Sequence, residues 1–145
     1  TRGNNVYGPR QYPEKLIPLC VKLLQRGKKI MLHDGGEPIR NWLHADDTAE
    51  AVTTIVESGK TDEIFNIPGD FEQKNYLTVK KVIEAYYNND VKWKDYVDLN
   101  HKRPGQDVRY ALNGDKLRQL GWKPTKVFDE EIIKLVEFYK ENFKW

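Results

Sequence analysis

The sequence predicts an α/β fold in which helices alternate with short strands, an α+β arrangement for the piece taken alone. Three observations carry that expectation. Apolar residues recur at helical spacing in several stretches, as Leu16, Leu19, Cys20, Leu23 and Leu24 do. Between these stretches lie short alternating runs bounded by glycine and proline, the pattern of strands. An apolar content of 39%, with eight Tyr, five Phe and four Trp in 145 residues, supplies a core for one domain's length of chain.

Residues 1–7 read as extended and stop at Gly8-Pro9. Asn4 and Asn5 at that strand's end either present amides to a ligand, because that edge of an open α/β sheet is where ligands sit, or simply form a turn. Pro13 to Pro18 opens a helix, since proline is tolerated in a first turn that needs no N–H partner. Gly27 closes it as a left-handed cap. Lys15 in the first turn opposes the helix dipole, so it suits an anionic ligand better than it suits the helix. Lys29–His33 alternates like a strand, and Asp34-Gly35-Gly36 turns the chain toward Arg40, which makes a hairpin the simplest pairing.

The stretch Arg40-Asn41-Trp42-Leu43-His44-Ala45-Asp46-Asp47 draws the most attention. It reads as a strand with Arg40, Trp42 and His44 on one face, running into a helix capped by Asp46 or Asp47, with Glu50 placed to reach back. A guanidinium held there grips a phosphate or carboxylate through two parallel hydrogen bonds, or else pairs at the surface with Glu37 or Asp47. From this stretch alone the surface pair carries more weight. The following helix is expected to turn Ala49, Val52, Ile55 and Val56 inward and to end at Gly59.

Glu63–Ile67 reads as a buried strand, with Asn66 either a ligand contact or a turn-former. Thr78 is the expected cap of a helix that buries Val79, Val82, Ile83 and Tyr86, and Asn88-Asn89-Asp90 terminates it. Val91–Lys94 and Tyr96–Leu99 read as extended. Lys102-Arg103-Pro104-Gly105-Gln106-Asp107-Val108-Arg109-Tyr110 is a charged turn in which Arg103, before a proline, has a defined direction. Asn113 caps a short helix with Leu117 and Leu120 inward. The last helix starts at Phe128-Asp129, buries Ile132, Ile133, Leu135, Val136 and Tyr139, and runs to the C-terminus.

The balance of charge is +2 with both signs interspersed, which is no footprint for nucleic acid, and Lys28-Lys29 and Lys80-Lys81 read as solvated faces. A single cysteine, Cys20, excludes an internal disulfide and fits a buried small hydrophobe in a reducing, cytoplasmic setting. His33, His44 and His101 lack metal-ligand spacing, so no metal site is expected. No signal peptide and no membrane-spanning apolar run are visible. The opening Thr1-Arg2-Gly3 carries no initiator Met and reads as a strand's end, so the chain is expected to be the C-terminal piece of a longer protein.

Taken together, Asn4-Asn5-Val6-Tyr7-Gly8-Pro9, Pro13-Glu14-Lys15-Leu16-Ile17-Pro18, Ile39-Arg40-Asn41-Trp42-Leu43, Phe65-Asn66-Ile67, Arg103–Tyr110 and Leu120-Gly121-Trp122-Lys123-Pro124 resemble the C-terminal half of dTDP-glucose 4,6-dehydratases, members of the extended short-chain dehydrogenase/reductase superfamily. The match runs through the whole chain in order, and it outweighs the surface-pair reading of Arg40. The resemblance implies an NAD-binding Rossmann domain of which residues 1–10 are the end, and a nucleotide-sugar-binding domain over residues 11–145. Residues 46–67 would pack back on the Rossmann sheet. It implies that Arg40 and Arg103 hold the diphosphate of a dTDP-sugar, with Asn5 helping near the domain join. Lys15 and Leu16 would line the nucleotide pocket, with Met31, Leu32 and His33 along the base and deoxyribose. Asn66 would bond nucleotide or phosphate, and Gln106 would donate and accept hydrogen bonds in the same site. The family has Tyr where His33 stands, Asp where Lys102 stands and His where Gln106 stands. It implies NAD as cofactor, a homodimer, and a reaction in which NAD oxidises C4, water leaves across C5–C6 and hydride returns to C6. The catalytic residues of that reaction belong upstream of Thr1, so none is assigned here, and the isolated chain is expected to be inactive. The alternatives are a related UDP-glucuronate decarboxylase or nucleotide-sugar epimerase, a non-catalytic sugar-nucleotide module, or an inert fragment.

Overall fold

A computed structural model describes residues 1–142. In chain order its elements are β1 (Arg2–Gly3), β2 (Asn5–Tyr7), α1 (Leu16–Gln25), β3 (Ile30–His33), β4 (Ile39–His44), α2 (Ala45–Glu57), β5 (Asn66–Ile67), β6 (Phe71–Lys74), α3 (Asn75–Tyr87), β7 (Val97–His101), β8 (Arg109–Tyr110), α4 (Asp115–Arg118) and α5 (Phe128–Glu141). Helices and short, mostly parallel strands are mixed, as the sequence predicts. The expectation that the last helix reaches the C-terminus falls, for residues 143–145, outside the described residues; the helix closes at Glu141.

β4 is the hub. Its residues 39–42 pair antiparallel with β6 along one edge. Along the other edge β8 pairs parallel at Ile39 and Arg40, and β2 pairs parallel from Trp42 to His44. Successive side chains of a strand point to opposite faces, and here the two faces feed different cores. Trp42 joins the larger core of α1, α3 and α5, built from residues such as Ile17, Cys20, Val82, Ile132 and Val136. Leu43 joins the smaller one, with Ala51, Phe65, Ile67, Leu117 and Trp122.

The two Asp-flanked turns work differently from expectation. β3 pairs parallel with β7, and the anticipated hairpin with β4 does not form. A single 3₁₀ turn at Asp34–Gly36, with Gly35 and Gly36 both at positive φ, carries the chain into another sheet instead. The cap of α2 is His44, whose Nδ1 accepts from the Asp46 N–H at 3.2 Å. The buried Asp47 serves a different end. Its carboxylate accepts from the backbone N–H groups of Thr125 and Lys126 and from the Thr125 hydroxyl, tying the C-terminal segment to α2.

Three further positions move. α3 begins at Asn75 after the short strand β6, so Thr78 lies inside the helix, where its hydroxyl accepts from Gln73 Nε2. Residues 93–96 form a 3₁₀ turn in place of part of the expected extended run. On α2 the buried positions are Asp47 and Ala51, whereas Ala49, Val52 and Val56 face outward. Ile133 of α5 is likewise exposed. The end of α1 follows the sequence: Gly27 and Lys28 donate to the carbonyls of Leu24 and Leu23, a Schellman closure that needs the positive φ of Gly27.

Two buried contacts hold the loops onto this frame. The Asn41 amide donates to the Gly69 carbonyl and accepts from the Gly69 N–H, both at 2.7 Å. A Cβ at Gly69 would stand 2.0 Å from the Trp42 carbonyl oxygen, so only glycine lets the loop come this close. At the other end the Tyr139 hydroxyl donates to the Gly8 carbonyl and accepts from the Gln11 N–H, each at 2.8 Å.

Both contacts yield measurable expectations. Asn41→Ala leaves two backbone groups of Gly69 unpaired in a buried site and is expected to cost about 2–3 kcal/mol in urea unfolding. Burial raises the Tyr139 phenol to about 12 from 10.0, the Gln11 N–H acting against it, and burial pushes Tyr7 up as well, helped by Glu131, Asp47 and Asp129. The folded protein therefore keeps the Tyr139 proton while the unfolded chain loses it, and stability falls as pH rises from about 10 to about 12. Tyr139→Phe is expected to flatten part of that alkaline decline, with the remainder set by Tyr7; an unchanged slope refutes the assignment.

Candidate functional site

A cleft of about 480 Å³ opens where α1, β3, β4 and the loop before β8 meet. Its floor comes from β4, with Arg40 and Trp42 on one face two residues apart. One wall is α1 and the residues that lead into it, with Glu14, Lys15, Leu16, Leu19 and Leu23; another is β3, with Met31, Leu32 and His33. Arg103 and Gln106 reach in from the loop, Asn75 from the start of α3 and Asn5 from β2. α1 thus has two apolar faces. Ile17, Cys20, Val21 and Leu24 are buried in the core, and the half-buried Leu16, Leu19 and Leu23 are left to the cleft.

The cleft is electropositive by construction. Lys15 is the N-cap residue of α1, its side chain makes no cap bond, and the first turn holds no acidic residue. The unpaired N–H groups of that turn therefore add to the positive potential. Lys15 has Glu14 at 3.9 Å, both well exposed, a contact of little energetic weight. Neither expected partner of Arg40 is available to it. Glu37 pairs with Lys74 at 2.7 Å, and Asp47 serves the 125–126 backbone. Among the described residues no carboxylate pairs with Arg40 or Arg103.

Arg40 does structural work as well. Its Nη1 donates to the Ile39 carbonyl at 2.7 Å and to the Asp107 carbonyl at 2.9 Å. The Ile39 N–H donates to the Val108 carbonyl at 2.8 Å, and Arg109 places Nε and Nη2 on one oxygen of Glu72. These bonds pin the C-terminal side of the loop that carries Arg103 and Gln106. Arg103 stays exposed at the cleft mouth, after which Pro104 and Gly105, the latter at φ 74°, turn the chain.

On the β3 side His33 and His101 face each other edge to face at 6.2 Å, and His101 Nε2 lies 3.1 Å from the Asp98 carboxylate. The Asn100 backbone N–H, followed by His101, holds the Asp98 carboxyl below its ordinary range. Met31 is 57% exposed beside this pair, so an apolar surface and an imidazole ring are both open to a planar ligand.

Of the ten residues expected from sequence, nine line this cleft: Asn5, Lys15, Leu16, Met31, Leu32, His33, Arg40, Arg103 and Gln106. The structure does not bring Asn66 there. It lies in β5 beside β1, and its amide donates to the Asn113 carbonyl at 2.9 Å. Five further residues line the cleft that sequence reasoning did not place there: Glu14, Leu19, Leu23, Trp42 and Asn75. Two of them carry a shielded polar atom with no partner, Asn75 Oδ1 and Trp42 Nε1, and Gln106 Oε1 is a third. Reading the helix start at Lys74-Asn75 instead of at Thr78 would have placed Asn75 at a helix N-terminus.

The sequence family described as GDP-mannose 4,6 dehydratase matches residues 1–135. The chain is 41% identical over 145 residues to a dTDP-D-glucose 4,6-dehydratase of Homo sapiens, covering 99% of this chain and 41% of that protein. The fold matches a dTDP-glucose 4,6-dehydratase of Bacillus anthracis solved in complex with NAD, with TM-score 0.85 and 34% identity over 98% of this chain and 44% of that one. It also matches DesIV of Streptomyces venezuelae, a dTDP-glucose 4,6-dehydratase solved with NAD and TYD bound, with TM-score 0.87 and 34% identity over 97% and 43%. The chain therefore spans about two fifths of the length of the relatives it matches. These enzymes are built on the extended short-chain dehydrogenase/reductase fold of the Rossmann type.

The double role of Arg40 can be checked directly. Arg40→Lys keeps a positive charge but loses the planar fork that reaches the Ile39 and Asp107 carbonyls. Trypsin is expected to cut after Lys102 several-fold faster in this variant, with overall stability changed by no more than about 1 kcal/mol. Equal cleavage rates would show that the guanidinium does not hold the loop.

Proposed function

The chain belongs to the GDP-mannose 4,6 dehydratase family, and from that premise we propose that it is the substrate-gripping part of an NAD-dependent dTDP-glucose 4,6-dehydratase, converting dTDP-glucose to dTDP-4-keto-6-deoxyglucose. The observation that carries the reading is the convergence of Arg40 and Arg103, far apart in sequence, on one cleft where, among the described residues, no carboxylate pairs with either; Glu14, which also lines it, reaches Lys15 alone. A diphosphate brings about two negative charges near neutral pH, and two guanidinium groups with a helix N-terminus are the donors that suit it. Lys15 adds a third cation, and Asn5, Asn75 and Gln106 supply neutral polar groups around the same space. Leu16, Met31, Leu32 and His33 make the surface for the deoxyribose and the base.

What these residues do for the reaction is hold and orient. Clamping the diphosphate at one end fixes where the hexose must lie, and positioning of that kind is worth several kcal/mol of barrier when the reacting groups stand ready. NAD supplies the transient oxidation of the sugar. Among the described residues no strand runs into a glycine-rich turn and helix of the kind that cradles a dinucleotide. We therefore assign no residue of this chain to NAD beyond the domain edge at residues 1–10, and no catalytic residue at all. Residues 11–145 form the nucleotide-sugar-binding domain in this reading, and the isolated chain is inactive.

The outward stripe of Ala49, Val52 and Val56 on α2 supports a contact for residues 46–67. With Ile64, 57% exposed, it gives an apolar face suited to the Rossmann sheet of the N-terminal domain. The same reading makes the whole enzyme a cytoplasmic homodimer.

Calorimetry with dTDP and UDP tests the cleft, and turnover of dTDP-glucose in the intact protein tests the activity. dTDP is expected to bind more tightly than UDP. Arg103→Met is expected to weaken dTDP by about tenfold or more with little change in melting temperature, since the side chain is exposed. No heat with either nucleotide, or a preference for UDP, rejects the proposal.

A further inference from the structure

We propose that Trp42 is a binding residue of the cleft, its indole N–H donating a hydrogen bond to a phosphate oxygen of the nucleotide diphosphate. The proposal rests on the reading of the cleft given above and adds a neutral donor beside the guanidinium groups. Trp42 is 5% exposed, and its Nε1 is shielded from solvent with no acceptor. The great majority of buried polar groups are paired, and an orphaned one is costly. The other buried tryptophan is satisfied: Trp122 Nε1 donates to the Asp47 carbonyl at 3.2 Å.

The unpaired group is also unambiguous in its chemistry. Asn75 and Gln106 each carry an orphan oxygen, but an amide can turn over and offer its NH₂ instead. An indole nitrogen only donates. Whatever satisfies Trp42 must bring an acceptor, and the place where acceptors are drawn is set by Arg40, two residues back on the same face of β4. Anionic phosphate oxygens are the strongest acceptors a nucleotide has. The ring is held edge to face on Tyr7 at 6.2 Å and tilted on Phe128 at 5.8 Å, so the direction of the N–H is fixed before the ligand arrives.

Trp42→Phe keeps the aromatic packing and deletes the donor. In the intact protein, calorimetry is expected to show about a tenfold loss of affinity for dTDP, a similar loss for inorganic pyrophosphate and none for thymidine. Undiminished dTDP affinity in Trp42→Phe, while Arg103→Met still weakens it, overturns this inference and leaves the reading of the cleft standing. Failure of the unsubstituted protein to bind dTDP overturns both. A loss seen with thymidine but absent with pyrophosphate overturns the phosphate assignment. Should Trp42→Phe not fold, nuclear magnetic resonance of the ¹⁵N-labelled protein decides. The Trp42 indole signal, assigned through its contacts with Tyr7 and Phe128, is expected to move on adding dTDP or pyrophosphate. A signal that stays in place overturns the proposal.

Discussion

β4 has no unused side, and the rest of the molecule follows from that constraint. Its edges are taken by β6 on one flank and by β8 and β2 on the other, and its faces feed two separate cores. A strand so enclosed has to dispose of every polar side chain it carries. Asn41 closes on Gly69, His44 caps α2, and Arg40 reaches the Ile39 and Asp107 carbonyls. The Trp42 N–H is the group left over, on a residue that shares a strand face with Arg40 and lines the cleft. Structure and site are therefore built by the same six residues, so polar chemistry is placed in the centre of the fold at little cost in unsatisfied groups.

The cleft asks for compensation of another kind. Among the described residues Arg40 and Arg103 share one space with no carboxylate partner, and Lys15 beside them has only the long, exposed contact with Glu14, although the chain as a whole is nearly balanced in charge. The acids near them are engaged elsewhere: Glu37 with Lys74, Glu72 with Arg109, Asp47 with a backbone turn. Mutual repulsion of hydrated, exposed cations costs little, whereas a buried cation without a partner would cost much. The arrangement respects that difference, with Arg103 and Lys15 exposed and only Arg40 half-buried against two carbonyls. Such a local departure from charge pairing is the usual mark of a place kept for an anion.

What could be read from the sequence divides along physical lines. Helix interiors were visible because burial imposes a period, and α1, α3 and α5 follow it at Cys20, Val82 and Ile132. Strand partners were not, because parallel pairing joins β3 to β7 across a long stretch of chain, and nothing local encodes that choice. Caps misled where an unusual residue does the work: His44 outcompetes Asp46 and Asp47 because Asp47 is drawn to Thr125 and Lys126. β6 was hidden because Phe71–Lys74 lacks apolar alternation, and with it went the true start of α3 and Asn75. The cleft residues were nameable through ordered motifs resembling a family. Asn66 shows the limit of that route: the motif containing it folds into a strand pair away from the cleft.

The magnitude of base and sugar selectivity open to this cleft follows from its lining. Thymine exceeds uracil by one methyl, and dTDP also lacks the 2′-hydroxyl of UDP. A methyl laid on the exposed Met31 gains on the order of 0.8 kcal/mol, roughly fourfold in affinity. The α1 wall of Leu16, Leu19 and Leu23 presents no side-chain acceptor or donor to a ribose hydroxyl, and burying one there costs about 1–3 kcal/mol. On the proposed reading the sugar, more than the base, would set the preference. A strong choice of deoxyribonucleotide would demand that the ribose face pack closely against α1, whose Leu16, Leu19 and Leu23 are turned toward the cleft.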